Sequence, residues 1–273
     1  MKTHLKIILS AFLLFIVAMS GCKKDENKEF TDSPIIESYL EPGNYFTIKV
    51  SRQIPFTTDV QYSSDDINNL AINVLYNNSS YLLKPFGNGN YIDSSIIVTE
   101  NSKYNLSFSF NSKNVSAYTY VPYKPLNMAE SVTQMSITQI TASSGIPTSP
   151  PTDPDPIKIT WDNTDGSYYL ITVENLETTL VAIRDFGNIT PPGNIFKKSP
   201  TNLNTQELRS RDFQYYGQHR IILYHVLPDY ASLYDQNSTS SQNLSNPSTS
   251  IVNGYGIFTG LNSDTLYVQI KKQ

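Results

Sequence analysis

Hydrophobic and polar residues alternate along several stretches of this chain, with the two-residue period of a half-buried β-strand. Phe46, Ile48 and Val50 alternate with Thr47, Lys49 and Ser51. Leu70, Ile72, Val74 and Tyr76 repeat the pattern, and Tyr104, Leu106, Phe108 and Phe110 do so against Asn105, Ser107 and Ser109. Turn residues punctuate these runs: Pro42-Gly43-Asn44 precedes the first, and PFGNGNY at residues 85–91 predicts a hairpin. The segment VSAYTYVPYKP then leaves the region through two prolines. Together these elements predict an antiparallel β-sandwich over residues 34–123.

A second unit is expected over residues 128–271. SVTQMSITQIT supplies its first strand, and SSGIPTSPPTDPDP is a loop too rich in proline to pair inside a sheet. In IKITWDNTDGSYYLITVEN, Ile157, Ile159 and Trp161 share a face, Asp165-Gly166 turns, and Tyr169, Ile171 and Val173 return. That hairpin, with a buried Trp opposite an aromatic-rich strand, resembles fibronectin type III and other immunoglobulin-like sandwiches. YYGQHRIILYHV reads as a long strand. In LPDYASLYDQ, Leu227, Tyr230 or Ala231, and Tyr234 fall at helical spacing and predict one or two helical turns. NGYGIFTGLNSDTLYVQIKK is expected to form two short strands around an Asn-Ser-Asp turn. The fold class is therefore all-β: two tandem β-sandwich domains of immunoglobulin or fibronectin III type.

The first 33 residues follow a different pattern. Lys2, His4 and Lys6 open a stretch that turns almost wholly apolar over residues 7–18 and ends on the small residues Ser20 and Gly21. This is the layout of a secretory signal peptide over residues 1–21, with an apolar run shorter than the ~20 residues of a membrane span. The chain's single cysteine, Cys22, follows directly. Met19-Ser20-Gly21-Cys22 resembles the bacterial lipobox, which implies cleavage between Gly21 and Cys22 and acylation of Cys22. An ordinary signal peptide followed by a free thiol is the alternative. Acyl chains contribute ~0.8 kcal/mol per buried CH₂, so a multiply acylated Cys22 would hold the chain to a lipid bilayer. Residues 22–33 are polar and aperiodic, a flexible tether with a coil span of about 20 Å. Within it, Lys23-Lys24-Asp25-Glu26 resembles the export signal of Bacteroidota surface lipoproteins, although a solvated linker would look similar.

Composition narrows the function classes. The chain is 39% hydrophobic and 16% charged with a formal net charge of −4, which suits a globular protein and argues against nucleic acid as a partner. One cysteine permits neither a disulfide framework nor a thiolate metal site. His219 and His225 would lie ~20 Å apart on an extended strand. That is too far to share a metal, and both are expected at the surface or rim. Neither G-x-S-x-G nor H-E-x-x-H occurs. Asp153, Asp155, Asp162 and Asp165 do not fit a calcium loop and are better explained by turn chemistry. Gly254, Gly256 and Gly260 do not fit a phosphate loop and suggest a close backbone crossing or a bulge. No cofactor, metal site or catalytic residue is assigned. Tyrosine offers large contact area at low entropic cost, and the chain has 19. Tyr215, Tyr216, Tyr230, Tyr234, Tyr255 and Phe258 form the candidate binding face.

Four segments, in order, resemble the domain of unknown function 4249 family of Bacteroidota outer-membrane lipoproteins over about residues 30–270. They are SPIIESYLEPGNYFTIKVSR, ENSKYNLSFSFNSKNVSAYTYVP, ITWDNTDGSYYLITVEN and NPSTSIVNGYGIFTGLNSDT. Ser38 stands where the family often has Gly. The resemblance implies a two-part all-β lipoprotein, commonly encoded beside a TonB-dependent outer-membrane receptor, and carries over no catalytic residue. The leading expectation is a lipid-anchored outer-membrane protein on the cell surface. It would act as a non-enzymatic accessory or ligand-binding partner of a TonB-dependent transporter, with a nutrient or polymer as ligand. An adhesive or structural surface module and a surface hydrolase remain the alternatives.

Overall fold

The computed structural model describes residues 32–53, 65–141, 153–187, 193–235 and 249–273. The predicted leader, the lipidation and cleavage positions Gly21 and Cys22, and the export-signal residues Lys23, Lys24, Asp25 and Glu26 lie outside the described residues. So does most of the proline-rich loop.

The protein is all-β. Eight strands come first: β1 (Pro34–Leu40), β2 (Tyr45–Arg52), β3 (Asn73–Tyr76), β4 (Ser79–Leu82), β5 (Lys84–Gly87), β6 (Asn90–Ile97), β7 (Ser102–Phe110) and β8 (Lys113–Val121). Next come β9 (Ala129–Glu130), β10 (Gln134–Ile137), β11 (Ile140–Thr141), β12 (Ile157–Thr160), β13 (Tyr168–Asn175), β14 (Arg184–Asp185), β15 (Ile195–Lys197) and β16 (Thr205–Leu208). The chain closes with β17 (Gly217–Val226), the helix α1 (Pro228–Asp235) and β18 (Tyr255–Lys272). The helix agrees with the spacing of Leu227, Tyr230 or Ala231, and Tyr234.

A nine-stranded sheet runs β15-β13-β17-β18-β1-β2-β6-β5, with β10 also paired to β18. A four-stranded sheet, β4-β3-β7-β8, covers one part of it. Phe46, Ile48 and Val50 from β2 pack there with Val74, Tyr104, Leu106, Phe108 and Phe110 in one core. All of these are buried, as their alternation predicts. A three-stranded sheet, β16-β12-β9, faces the other part across a second core of Ile157, Ile159, Trp161, Ile171, Val173, Ile221 and Leu223. The turns follow residue chemistry. Gly87, Asn88 and Gly89 all have positive φ between β5 and β6, and Asn77-Asn78 and Asn111-Ser112 do the same in the two neighbouring hairpins.

Two predicted local structures are corrected. The Ile157–Trp161 stretch and its return strand do not pair as a hairpin: β12 bonds to β16 and β9, whereas β13 bonds to β17 and β15. The Asp165-Gly166 turn instead carries the chain across the core from one sheet to the other. Ser167 N–H donates to Asp165 Oδ1 at 3.0 Å, and Trp161 meets Tyr169 through side-chain packing at 5.5 Å between centroids. The C-terminus is not two short strands but one strand of 18 residues, ~60 Å long at ~3.3 Å per residue. Partners along its whole length keep it extended. Its first part pairs in parallel with β1, and its second runs antiparallel to β17. Asn262, expected in a turn, is buried and donates through Nδ2 to Pro122 O at 3.0 Å. Phe258 thereby joins the first core, beside Ile251 from the segment before the strand, while Val268 and Ile270 join the second.

His219 is a third correction. It is 2% exposed rather than at the rim, because its place on β17 faces the second core. Its Nδ1–H donates to Gly217 O at 3.1 Å, and Nε2 accepts from Asn175 Nδ2 at 3.2 Å, so the neutral ring satisfies both neighbours. His225 is half-buried, stacks on Tyr169 at 4.7 Å and donates from Nδ1 to Tyr123 O at 3.0 Å. Burial lowers both imidazoles below their ordinary value of 6.5. The unfolded chain therefore binds more protons once the pH drops below about 6.5, and folding stability falls there. Above that pH the contribution of both neutral rings is complete. The expected result is a urea midpoint that is flat from pH 8 to 7 and declines below about 6.5. His219→Gln should flatten part of that decline; an unchanged acid slope would refute the assignment.

Candidate functional site

The alternation that buries one face of the nine-stranded sheet leaves the opposite face to be explained. On β13 the outward positions are Leu170, Thr172 and Glu174, and on β17 they are Arg220, Ile222, Tyr224 and Val226. Register aligns them in rows. Ile195, Glu174 and Arg220 lie side by side, then Lys197, Thr172 and Ile222, then Leu170 and Tyr224. Tyr39 and Glu41 at the end of β1, Leu261 of β18 and Tyr230 of α1 complete a groove of about 550 Å³. That volume is within the range of small-ligand sites. A neighbouring groove of about 610 Å³ crosses β1, β2 and β6, shares Tyr39, and is bordered by Phe86, which is 82% exposed.

Aromatic rings form the wall of the first groove. Tyr39 meets Tyr230 edge-on at 6.0 Å, and Tyr230 meets Tyr234 at 5.9 Å. Helix α1 is held in place from within: Thr259 Oγ1 donates to Asp229 Oδ1 at 3.0 Å, and Tyr230 N–H donates to the same oxygen at 2.8 Å. Burial raises the phenols of Tyr39, Tyr224 and Tyr230 above the ordinary tyrosine value, with nearby acidic groups adding to the first two. These hydroxyls therefore stay protonated at neutral pH and can both donate and accept hydrogen bonds. Burial likewise raises the Glu41 carboxyl, partly offset by a hydrogen bond from Asn44 Nδ2. Glu174 accepts from Arg220 Nε at 2.9 Å and pairs with the same guanidinium through Nη2. The groove is built for contact area and neutral hydrogen bonding, with its strongest charges paired to each other.

The candidate binding face read from sequence is only partly assembled. Tyr230 and Tyr234 flank this groove. Tyr215 and Tyr216 are buried, at 6% and 8% exposure, and Tyr216 OH donates to Ile137 O at 3.0 Å. Phe258 is 1% exposed in the first core, and Tyr255 is half-buried at the start of β18. Those three buried rings serve packing and offer no surface to a ligand. Nothing local in the sequence marks Tyr39, Glu41, Thr172, Glu174 or Arg220 as groove residues, but one signal is present for the strand itself. RIILYHV is apolar at successive positions, which marks a strand with apolar side chains on both faces. Asp165 serves a turn, as expected, accepting from Ser167 N–H at 3.0 Å; Asp162 instead ties two distant segments, its Oδ2 accepting from Asn127 Nδ2 at 2.6 Å.

No family model matches the chain, and no curated protein does. Among solved structures, the chain is similar to the Y1175G mutant of Salmonella alpha-2-macroglobulin, at 8% identity and a TM-score of 0.25 over 93% of this chain and 15% of that one. It is also similar to Salmonella alpha-2-macroglobulin reacted with methylamine, at 10% identity and a TM-score of 0.23 over 89% and 15%. The chain thus spans about 15% of the length of the solved structures it matches.

Proposed function

We propose that this chain is a non-enzymatic, ligand-binding outer-membrane lipoprotein, held to the bilayer through acylated Cys22 and displayed on the cell surface beside a TonB-dependent transporter. The observation that carries the binding role is the tyrosine-walled groove on the outward sheet face, whose Glu174 and Arg220 neutralise each other. An aromatic wall beside a carboxylate–guanidinium pair suits reversible capture, since contact area is offered and the charges of Glu174 and Arg220 are already matched to each other. The anchoring and surface parts of the reading rest on Met19-Ser20-Gly21-Cys22 and Lys23-Lys24-Asp25-Glu26. The transporter part rests on the resemblance to the domain of unknown function 4249 family.

Affinity purification of the tagged full chain from membranes in mild detergent tests the partnership. A TonB-dependent receptor is expected to co-purify in near-equal amount. Recovery of the lipoprotein with no outer-membrane receptor would refute it.

A further inference from the structure

The groove's polar groups point to a class of ligand, an inference that rests on reading the groove as a binding site. Its charged residues are Glu41 and Glu174 against Lys197 and Arg220, two acidic and two basic, so the lining has no formal net charge. A polyanion or polycation would find no complementary field there. Thr172 supplies a second, independent observation. It lies in the groove floor at 5% exposure, between Lys197 and Ile222, and its Oγ1 has no hydrogen-bond partner among the described residues. A buried hydroxyl left without a partner is costly, and a ligand hydroxyl reaching the groove floor would relieve it.

We infer that the groove binds an uncharged glycan segment, its sugar rings against Tyr39, Tyr224 and Tyr230 and its hydroxyls on Thr172, Glu174 and Arg220. A pyranose presents C–H groups on its faces and hydroxyls at its rim. The negative face of a tyrosine ring attracts the first, and the Glu174–Arg220 pair offers an acceptor beside a donor to adjacent hydroxyls. At close-packed density the groove holds ~2–3 hexose rings. An extended peptide would instead be expected along the outer edge of β15, the end strand of the sheet among the described residues, rather than across the sheet face.

The test is calorimetric titration of the full chain, solubilised in a sugar-free zwitterionic detergent. The probes are malto-, cello-, xylo- and mannohexaose, beside oligogalacturonate, a chitosan hexamer and a peptide library. Saturable binding to at least one neutral hexaose is expected, weakened at least ~10-fold by Tyr39→Ala and by Arg220→Ala but little by Tyr39→Phe. Unchanged thermal midpoints would show that the variants remain folded. Binding to none of the four neutral hexaoses overturns the inference, as does binding that neither alanine variant weakens. Peptide binding lost in Tyr39→Ala would overturn the glycan assignment and leave the groove standing as a ligand site. Hydrogen exchange at residues 170–174 and 220–224 that no probe alters would remove both.

Discussion

Replacing Gly256 by alanine is expected to destabilise the protein by about 3 kcal/mol or more, among the largest single-residue effects in the chain. Gly256 sits at φ +102, a backbone conformation that L side chains rarely adopt, opposite Ile36 where β18 runs parallel to β1. A Cβ there would lie 1.9 Å from Ile36 O, so strain at one residue is joined by collision with the neighbouring strand's backbone. Carbonyls in a paired strand cannot retreat without breaking the ladder on both sides. Gly166 is the control. Its φ is +74 but nothing lies within 4 Å of a Cβ, so Gly166→Ala should cost only ~1 kcal/mol of conformational strain. Urea unfolding of both variants at constant m-value makes the comparison. Equal losses would mean that β18 does not approach β1 as described.

Asp212→Ala is expected to cost ~3 kcal/mol, because it strands a cation. Lys198 Nζ lies 2.6 Å from Asp212 Oδ2, with side-chain exposures of 17% and 5%. The same oxygen accepts from Arg209 N–H at 2.9 Å, tying the short 3₁₀ turn at Ser210–Asp212 to the chain before it. Removing the carboxylate leaves a largely buried ammonium and an orphaned backbone donor together. Removing both charges is milder. Asp212→Asn with Lys198→Met keeps an acceptor for Arg209 and replaces the ammonium with an apolar chain, so the double variant should recover most of the loss. A double variant no more stable than Asp212→Ala would place the cost in packing rather than in the unpaired charge. By contrast, the Glu174–Arg220 pair is more exposed, at 22% and 41%, and its loss should show in ligand binding more than in stability.

Local chemistry made much of the fold legible. Phe46, Ile48 and Val50, and Tyr104 through Phe110 at alternate positions, are inward-facing because a strand's side chains have a period of two. Asn-Gly-rich turns were readable because Gly87, Asn88 and Gly89 tolerate positive φ, and Gly256 and Gly260 do mark close backbone crossings. The site was much less legible. Tyr215, Tyr216 and Phe258 looked like surface aromatics in a list, but burial depends on which sheet face each one meets. Tyr39, on β1, is far in sequence from β13 (Tyr168–Asn175) and β17 (Gly217–Val226), the strands whose groove it completes.

What the sequence determined by itself was the all-β class, the inward faces of the main strands, several turns and the helical spacing at Leu227, Tyr230 and Tyr234. Each of these is a relation between residues a few positions apart. Tertiary structure alone decided which strands pair, that β12 and β13 belong to different sheets, and that β18 stays extended to serve two cores. It also decided that β1, β13, β17 and α1 meet around one groove. Strand pairing and burial are set by contacts between distant segments competing for the same backbone hydrogen bonds and the same apolar surface, and a one-dimensional pattern contains no record of which partner wins.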